Sequence, residues 1–285
     1  MFKFSLQNAD GNVVNINDEV NYVVVDFEGF DPPAASLYTA KSPNRKGSQK
    51  KGSTLDERIV IITIKILGDI EVNRNALYTW TDPESELKIY FENGIKSVYC
   101  EGTVTECPVP MCTDNEVMTL AVTCTDPFLK DLQEISAEVS NLLKQFTFPF
   151  AIDSDGIPIS TVRENNITNI FNAGAETGAI IRVKAKGTVS NISLFDATDA
   201  TKRFDINMPL QDGEIVEINT EKSPRTVRLI KTDGTTANIL KYIGYNPTWF
   251  RLKKGSNLFG VATDPATGIS NVEVVFEYTT KYLGV

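Results

Sequence analysis

Four cysteines, Cys100, Cys107, Cys112 and Cys124, fall within a span of 25 residues and are the first candidates for chemistry. Their gaps read C-x6-C-x4-C-x11-C, without the CxxC knuckles that hold a tetrahedral zinc ion. Cys100 and Cys124 close the strand-like runs "SVYC" and "LAVTC", so they are expected as ordinary buried thiols. The chain has no histidine. That removes Ser-His-Asp and Cys-His nucleophiles, histidine general bases and histidine metal ligands together. Carboxylates are plentiful, but no pair stands out as the acid and base of a glycoside hydrolase. "DSDG" at 153–156 lacks the later ligands of a calcium loop and reads as a turn. No catalytic residue, metal ligand or cofactor is assigned, and the enzyme class falls behind binding and structural classes.

Charge is the other feature with chemical content. The net charge is −9, and residues 1–150 carry all of it, with 13 Lys and Arg against 22 Asp and Glu. Within that acidic half, Lys41, Arg45, Lys46, Lys50 and Lys51 form a basic island among Gly, Ser, Pro and Asn, with no acid between them. Five cations without interleaved aromatics are a thin signal for nucleic acid. They suit a solvated hairpin, or an arm complementary to an acidic surface, including that of an identical neighbour.

The elements that must position these residues are mainly strands. In "RIVIITIKIL", Val60, Ile62, Ile64 and Ile66 share one face by period two. Similar runs occupy 21–30, 86–106, where Asn93-Gly94 marks a hairpin turn, and 117–126. Residues 126–146 differ. Leu129, Leu132, Ile135, Val139, Leu142, Leu143 and Phe146 fall at helical spacing, with Asp126 as a cap and Pro127 at the first position, which predicts a helix. "FTFPFAIDSDGIPIS" then reads as an extended connector. From about 165 onward short strands alternate with turn signals, the cadence of a β-sandwich of jelly-roll type. No apolar run approaches the roughly 18 residues of a membrane span, and "MFKFSLQNADGNVV" does not read as a secretory signal. The chain is expected to fold in a cytosol, where a disulfide is disfavoured.

The order of several motifs resembles the distal tail protein family of bacteriophages. These are "FEGFDPP" (27–33), "STLDERIVIITIKILGD" (53–69), "LYTWTDPESELKIYFENG" (77–94), "VMTLAVTCTDPF" (117–128), "ITNIFNAGAETGAIIRVKAKG" (167–187), "FRLKKGSNLFGV" (250–261) and "VEVVFEYTTKYLGV" (272–285). The resemblance implies a mainly β protein of two domains. An N-terminal ring-forming β-sandwich, 1–130, would have one helix and an extended belt hairpin at 40–54. A helix and connector, 131–164, would lead to a galectin-like or jelly-roll sandwich, 165–285.

The resemblance also implies a non-enzymatic role at the distal end of a virion tail, after synthesis in the bacterial host cytoplasm. Its partners would be five further copies in a homo-hexamer, the tail tube protein, a tail-tip hub, fibre or lysin protein, and receptor-binding proteins. DNA would pass through the ring without specific binding, and no membrane insertion is implied. The basic island maps onto the belt, and surplus acid in a channel would repel passing phosphates. The alternative is a free-standing carbohydrate-binding β-sandwich, for which "NPTWFRL" offers Trp249 and Phe250 as contacts, although both aromatics also suit a core.

Overall fold

The computed structural model describes residues 2–41, 46–109, 116–139, 142–144, 160–162, 167–221, 223–264 and 271–285. The chain divides into two units, Met1–Leu132 with Lys281–Val285, and Gln133–Thr280. The last five residues therefore return to the first unit, whereas the sequence reading placed all of 165–285 in the second.

The first unit contains β1 (Lys3–Asn8), β2 (Val13–Asn15), β3 (Tyr22–Glu28), β4 (Ala35–Ala40), β5 (Gln49–Leu55), β6 (Arg58–Ile66), helix α1 (Ile70–Trp80), β7 (Glu86–Glu92), β8 (Ser97–Glu106), β9 (Val117–Cys124) and the start of β10 (Leu129–Val139). All its ladders are antiparallel. One runs β2-β1-β7-β8 and another β3-β6-β9. The end of β8 joins them by pairing with β9, Thr103 opposite Thr123.

The period-two pattern decides which residues turn inward. Val60, Ile62, Ile64 and Ile66 of β6 are buried against Met118, Leu120 and Val122 of β9 and Leu87, Ile89 and Phe91 of β7. Phe4, Phe27, Phe30 and Phe91 add a ring cluster, with Phe30 and Phe91 centroids 4.5 Å apart. At the β7–β8 turn the Asn93 side chain accepts from the N–H groups of Ile95 and Lys96, and Gly94 takes φ +82°. The turn falls where the sequence placed it, but Gly94 alone is left-handed and Asn93 acts through its side chain, so it is not the type I′ turn with Asn-Gly at its centre.

The expected helix at 126–146 is not formed, and this is a correction. Residues 129–139 are strand β10, with Lys130 opposite Tyr99 and Asp131 opposite Val98 of β8. Of the helical-period residues, Leu129 and Val139 are buried, while Leu132 and Ile135 are exposed. Asp126 accepts from the Phe128 N–H in a local turn instead of capping a helix. The pairing available on β8 overrides the local period, because ladder hydrogen bonds depend on a partner strand that periodicity does not record. Leu142 and Leu143 fall in a short strand, β11 (Leu142–Lys144), paired with β12 (Ser160–Val162). Phe146 and the "DSDG" turn lie outside the described residues.

The helix of the first unit is α1 instead. Asp69 caps it by accepting from the Val72 N–H at 3.3 Å, and Leu77 anchors its inner face.

The second unit is a sandwich. It contains β13 (Ile167–Asn172), β14 (Ile180–Ala185), β15 (Ile192–Asp196), β16 (Asp199–Ile206), β17 (Ile215–Asn219), β18 (Thr226–Ile230), β19 (Thr236–Asn238), β20 (Gly255–Ala262) and most of β21 (Val272–Tyr282). One sheet runs β19-β18-β17-β14-β21, the other β13-β20-β15-β16. Val183, Val216 and Val274 from the first sheet and Ile170, Leu194 and Val261 from the second share one core. The mainly β architecture expected from the sequence is the one observed.

Candidate functional site

Strands β4 and β5 form a sheet of their own, with Ala35 opposite Leu55 and Ala40 opposite Gln49. Every residue of the two strands except Gly52 is exposed. The register places Ala35, Leu37, Ser53 and Leu55 on one face, and Leu37 is 61% exposed. The other face carries Tyr38, 55% exposed, whose hydroxyl meets Thr54 Oγ1 at 3.2 Å. A two-stranded ribbon is marginal in water unless something packs on it. The ribbon spans 35–55, several residues longer on its entering side than the expected belt at 40–54.

The basic island lies at the far end of this ribbon. Lys41, Lys46, Lys50 and Lys51 are exposed, and Arg45 lies outside the described residues. Lys51 reaches Gln49 Oε1 at 3.3 Å, and among the described residues none of the four lysines meets a carboxylate.

The root of the ribbon has the opposite character. Asp26, Glu28, Asp31 and Glu57 are exposed there, and Asp56 is half-buried. Beneath them lies Arg58, 2% exposed although charged. Its Nε donates to the Pro127 carbonyl at 2.8 Å, Nη1 to the carbonyls of Gly29 and Asp31, the latter at 2.9 Å, and Nη2 to the Leu283 carbonyl at 2.7 Å. Burial lowers its pKa, opposed by the thiols of Cys100 and Cys124 and by Asp126 and Asp31. Val285 N–H donates to the Phe30 carbonyl at 3.2 Å, so the last residues of the chain line the same root.

From sequence alone Arg58 is assigned no role. The signal was its parity, since 58 shares the inward face with 60, 62, 64 and 66.

Trp249 and Phe250 belong to the second unit. Phe250 is buried, its ring 5.2 Å from that of Phe259, which stacks on Phe276 at 4.8 Å. Trp249 is half-buried, edge-on to Phe204 at 5.4 Å, with the Arg225 guanidinium 5.7 Å from its ring. A groove of about 290 Å³ runs beside them, lined by Glu176, Asp196, Lys202, Arg251 and Asn257 among others. Arg251 is tied to Glu176 at 2.8 Å and Asn257 is engaged by backbone groups of Lys253 and Gly255. Arg251, Glu176 and Asn257 are thus already engaged within the chain.

Cys100 and Cys124 are buried free thiols, and Cys107 is half-buried. Cys112 lies outside the described residues. Among the described residues no group of His, Cys, Asp and Glu could hold a metal ion, and no helix is long and apolar enough to cross a membrane.

The fold, with its free ribbon, is similar to that of known phage tail and baseplate proteins. Residues 172–282 match the family described as the siphovirus-type tail component, C-terminal domain. Over nearly its whole length the chain shares its fold with the SPP1 Dit protein, described as a paradigm of the hub adsorption apparatus in phages infecting Gram-positive hosts. The TM-score is 0.70 at 14% identity, covering 98% of this chain and 99% of that one. A chain of the phage P2 baseplate, in its activated conformation with calcium, aligns over 100% of both chains with TM-score 0.50 and 9% identity. A search of curated proteins finds no sequence match.

Proposed function

We propose that six copies of this chain close head to tail into a ring at the distal end of a phage tail. The ribbon of each copy lies on the root region of the next. Charge supports the direction of assembly: the tip carries exposed lysines, and the root carries Asp26, Glu28, Asp31 and Glu57. In a cyclic ring each subunit must present two different, complementary patches, and one chain here carries both.

The apolar face of the ribbon supports the affinity. Burying a side chain such as Leu37 or Leu55 contributes about 1.5–3 kcal/mol, whereas an exposed ion pair contributes roughly 0–1 kcal/mol and is screened by salt. Apolar burial therefore holds the ring, and the charges select partner and register.

In this reading the ring joins the tail tube to the tail-tip hub, fibre or lysin protein, leaving an open channel through which DNA passes without specific binding. The second unit is the docking surface for receptor-binding components. The protein is made in the bacterial host cytoplasm and ends in the virion, as scaffold and not as catalyst.

The observation that carries the proposal is the exposed ribbon with a basic tip and an acidic root. Its test is charge exchange, read by analytical ultracentrifugation and native mass spectrometry. Reversing Lys41, Lys46, Lys50 and Lys51 to Glu should weaken assembly at low salt, and so should reversing the four root acids to Lys. Combining both sets in one chain should restore the hexamer. Assembly indifferent to the tip reversal across salt concentrations would sink the proposed docking.

A further inference from the structure

Arg58 occupies an inward position of β6 where Val60, Ile62, Ile64 and Ile66 are aliphatic. A buried charge is unfavourable unless fully hydrogen-bonded, and replacing it by a well-packed apolar residue is often neutral. Burial alone therefore does not call for arginine at this position. A planar fork of donors can do what an aliphatic chain cannot, which is to bind backbone carbonyls from several segments at once. Here it binds three segments: Gly29 and Asp31, which lead into β4, Pro127 after β9, and Leu283 near the end of the chain.

The ribbon enters from Gly29–Ala34 and leaves at Leu55, three residues before Arg58 itself. One guanidinium thus ties both legs. The terminal residues close the same clamp: a Cβ at Gly284 would stand 2.9 Å from Pro32 Cδ, and Val285 donates to Phe30.

Geometry makes the root matter. A strand of six residues spans about 20 Å, so a tilt of about 10° at the root displaces the tip by about 3 Å. That displacement is enough to break side-chain contact, which requires heavy atoms within about 4–4.5 Å.

We propose that Arg58 is the positioning residue that fixes the angle of the ribbon, with Leu283–Val285 as the other half of the clamp. The clamp is a property of the single chain. Its role in assembly rests on the ring reading given above.

The test compares the full chain with Arg58→Lys, which keeps the charge but not the fork, and with a variant lacking residues 283–285, in case the first folds poorly. Amide hydrogen exchange is read at a dilution that keeps the chains separate, and hexamer formation is read by native mass spectrometry. Each variant loses at least one charge-assisted or clamping hydrogen bond, so the root amides, those of Gly29, Phe30, Asp31 and Ala34 and that of Asp56, which donates to the Ala34 carbonyl at 2.9 Å, should exchange about tenfold or more faster. Those of β7 and β9 should be unchanged, and hexamer formation should need a higher protein concentration.

Unchanged exchange at Gly29, Phe30, Asp31, Ala34 and Asp56 overturns the clamp. Equal acceleration throughout β6, β7 and β9 overturns it too, since Arg58 would then be a general core residue. Faster root exchange with undiminished assembly overturns the positioning role. If the parent chain never forms a hexamer, the ring reading fails separately, and the exchange rates still decide whether Arg58 holds the root.

Discussion

Gly29 stands where the chain turns out of β3 toward the ribbon, at φ +92°, with the backbone of β6 directly behind it. A methyl group there would lie 2.2 Å from the Ile59 carbonyl oxygen and 2.9 Å from Val60 Cα. Neither atom can yield easily, because β6 is hydrogen-bonded to β3 on one side and β9 on the other. Two costs combine in Gly29→Ala. The left-handed conformation costs an L-residue about 1–2 kcal/mol, and the steric overlap costs about 1–3 kcal/mol more.

Gly94, in the β7–β8 turn, isolates the first cost. It has φ +82°, and no heavy atom lies within 4 Å of the position that an alanine methyl group would take. Gly94→Ala should therefore show only the conformational penalty. At about 2–4 °C per kcal/mol for a unit of this size class, Gly29→Ala should lower the first unit's transition by about 10 °C and Gly94→Ala by about 4 °C. Differential scanning calorimetry of the full chain checks this, with the second unit's transition as the internal reference. Equal shifts in the two variants would refute the reasoning, since they would mean that β6 moves aside at little cost. A shift carried by the second unit would refute it as well.

Further outcomes follow from the same reading. Burial raises the Asp18 carboxyl pKa, but N–H groups of Tyr22, Asn21 and Val20 at 2.9, 2.8 and 3.0 Å outweigh it and leave the group below its usual 3.8. A depressed carboxyl adds stability above its unfolded pKa and loses it as pH falls through the folded value. Asp18→Asn should thus lower the urea midpoint near neutrality and flatten its decline between about pH 5 and about pH 2, and an unchanged acid limb would contradict the assignment. In the second unit, Phe250→Ala should cost about 3–5 kcal/mol in denaturant unfolding and Trp249→Ala about half as much. Trp249→Ala with full stability would show that its contact with Phe204 contributes nothing to the core.

How much of this was readable in advance depends on how local each signal is. The strands of both units were legible because a buried face imposes period two on the residues themselves, as in Val60 to Ile66. The β7–β8 turn was legible because Gly94 takes a left-handed backbone freely and the Asn93 side chain can accept from the N–H groups that follow it. The basic tip was legible as composition. The missing histidine removed histidine chemistry at once, and the order of motifs pointed to the distal tail fold that the chain shares with SPP1 Dit.

Other features depended on partners far along the chain. Leu129 to Val139 became a strand because β8 offered a ladder, and α1 formed over Ile70–Trp80, of which only the last four residues fell within a quoted motif and none was read as helix. Arg58 gained a role only when a carbonyl 225 residues away was brought to its guanidinium. Periodicity reports which side of an element is buried. It does not report what is buried against it, so pairing, the clamp at the ribbon root and the return of the last five residues to the first unit were decided by tertiary structure.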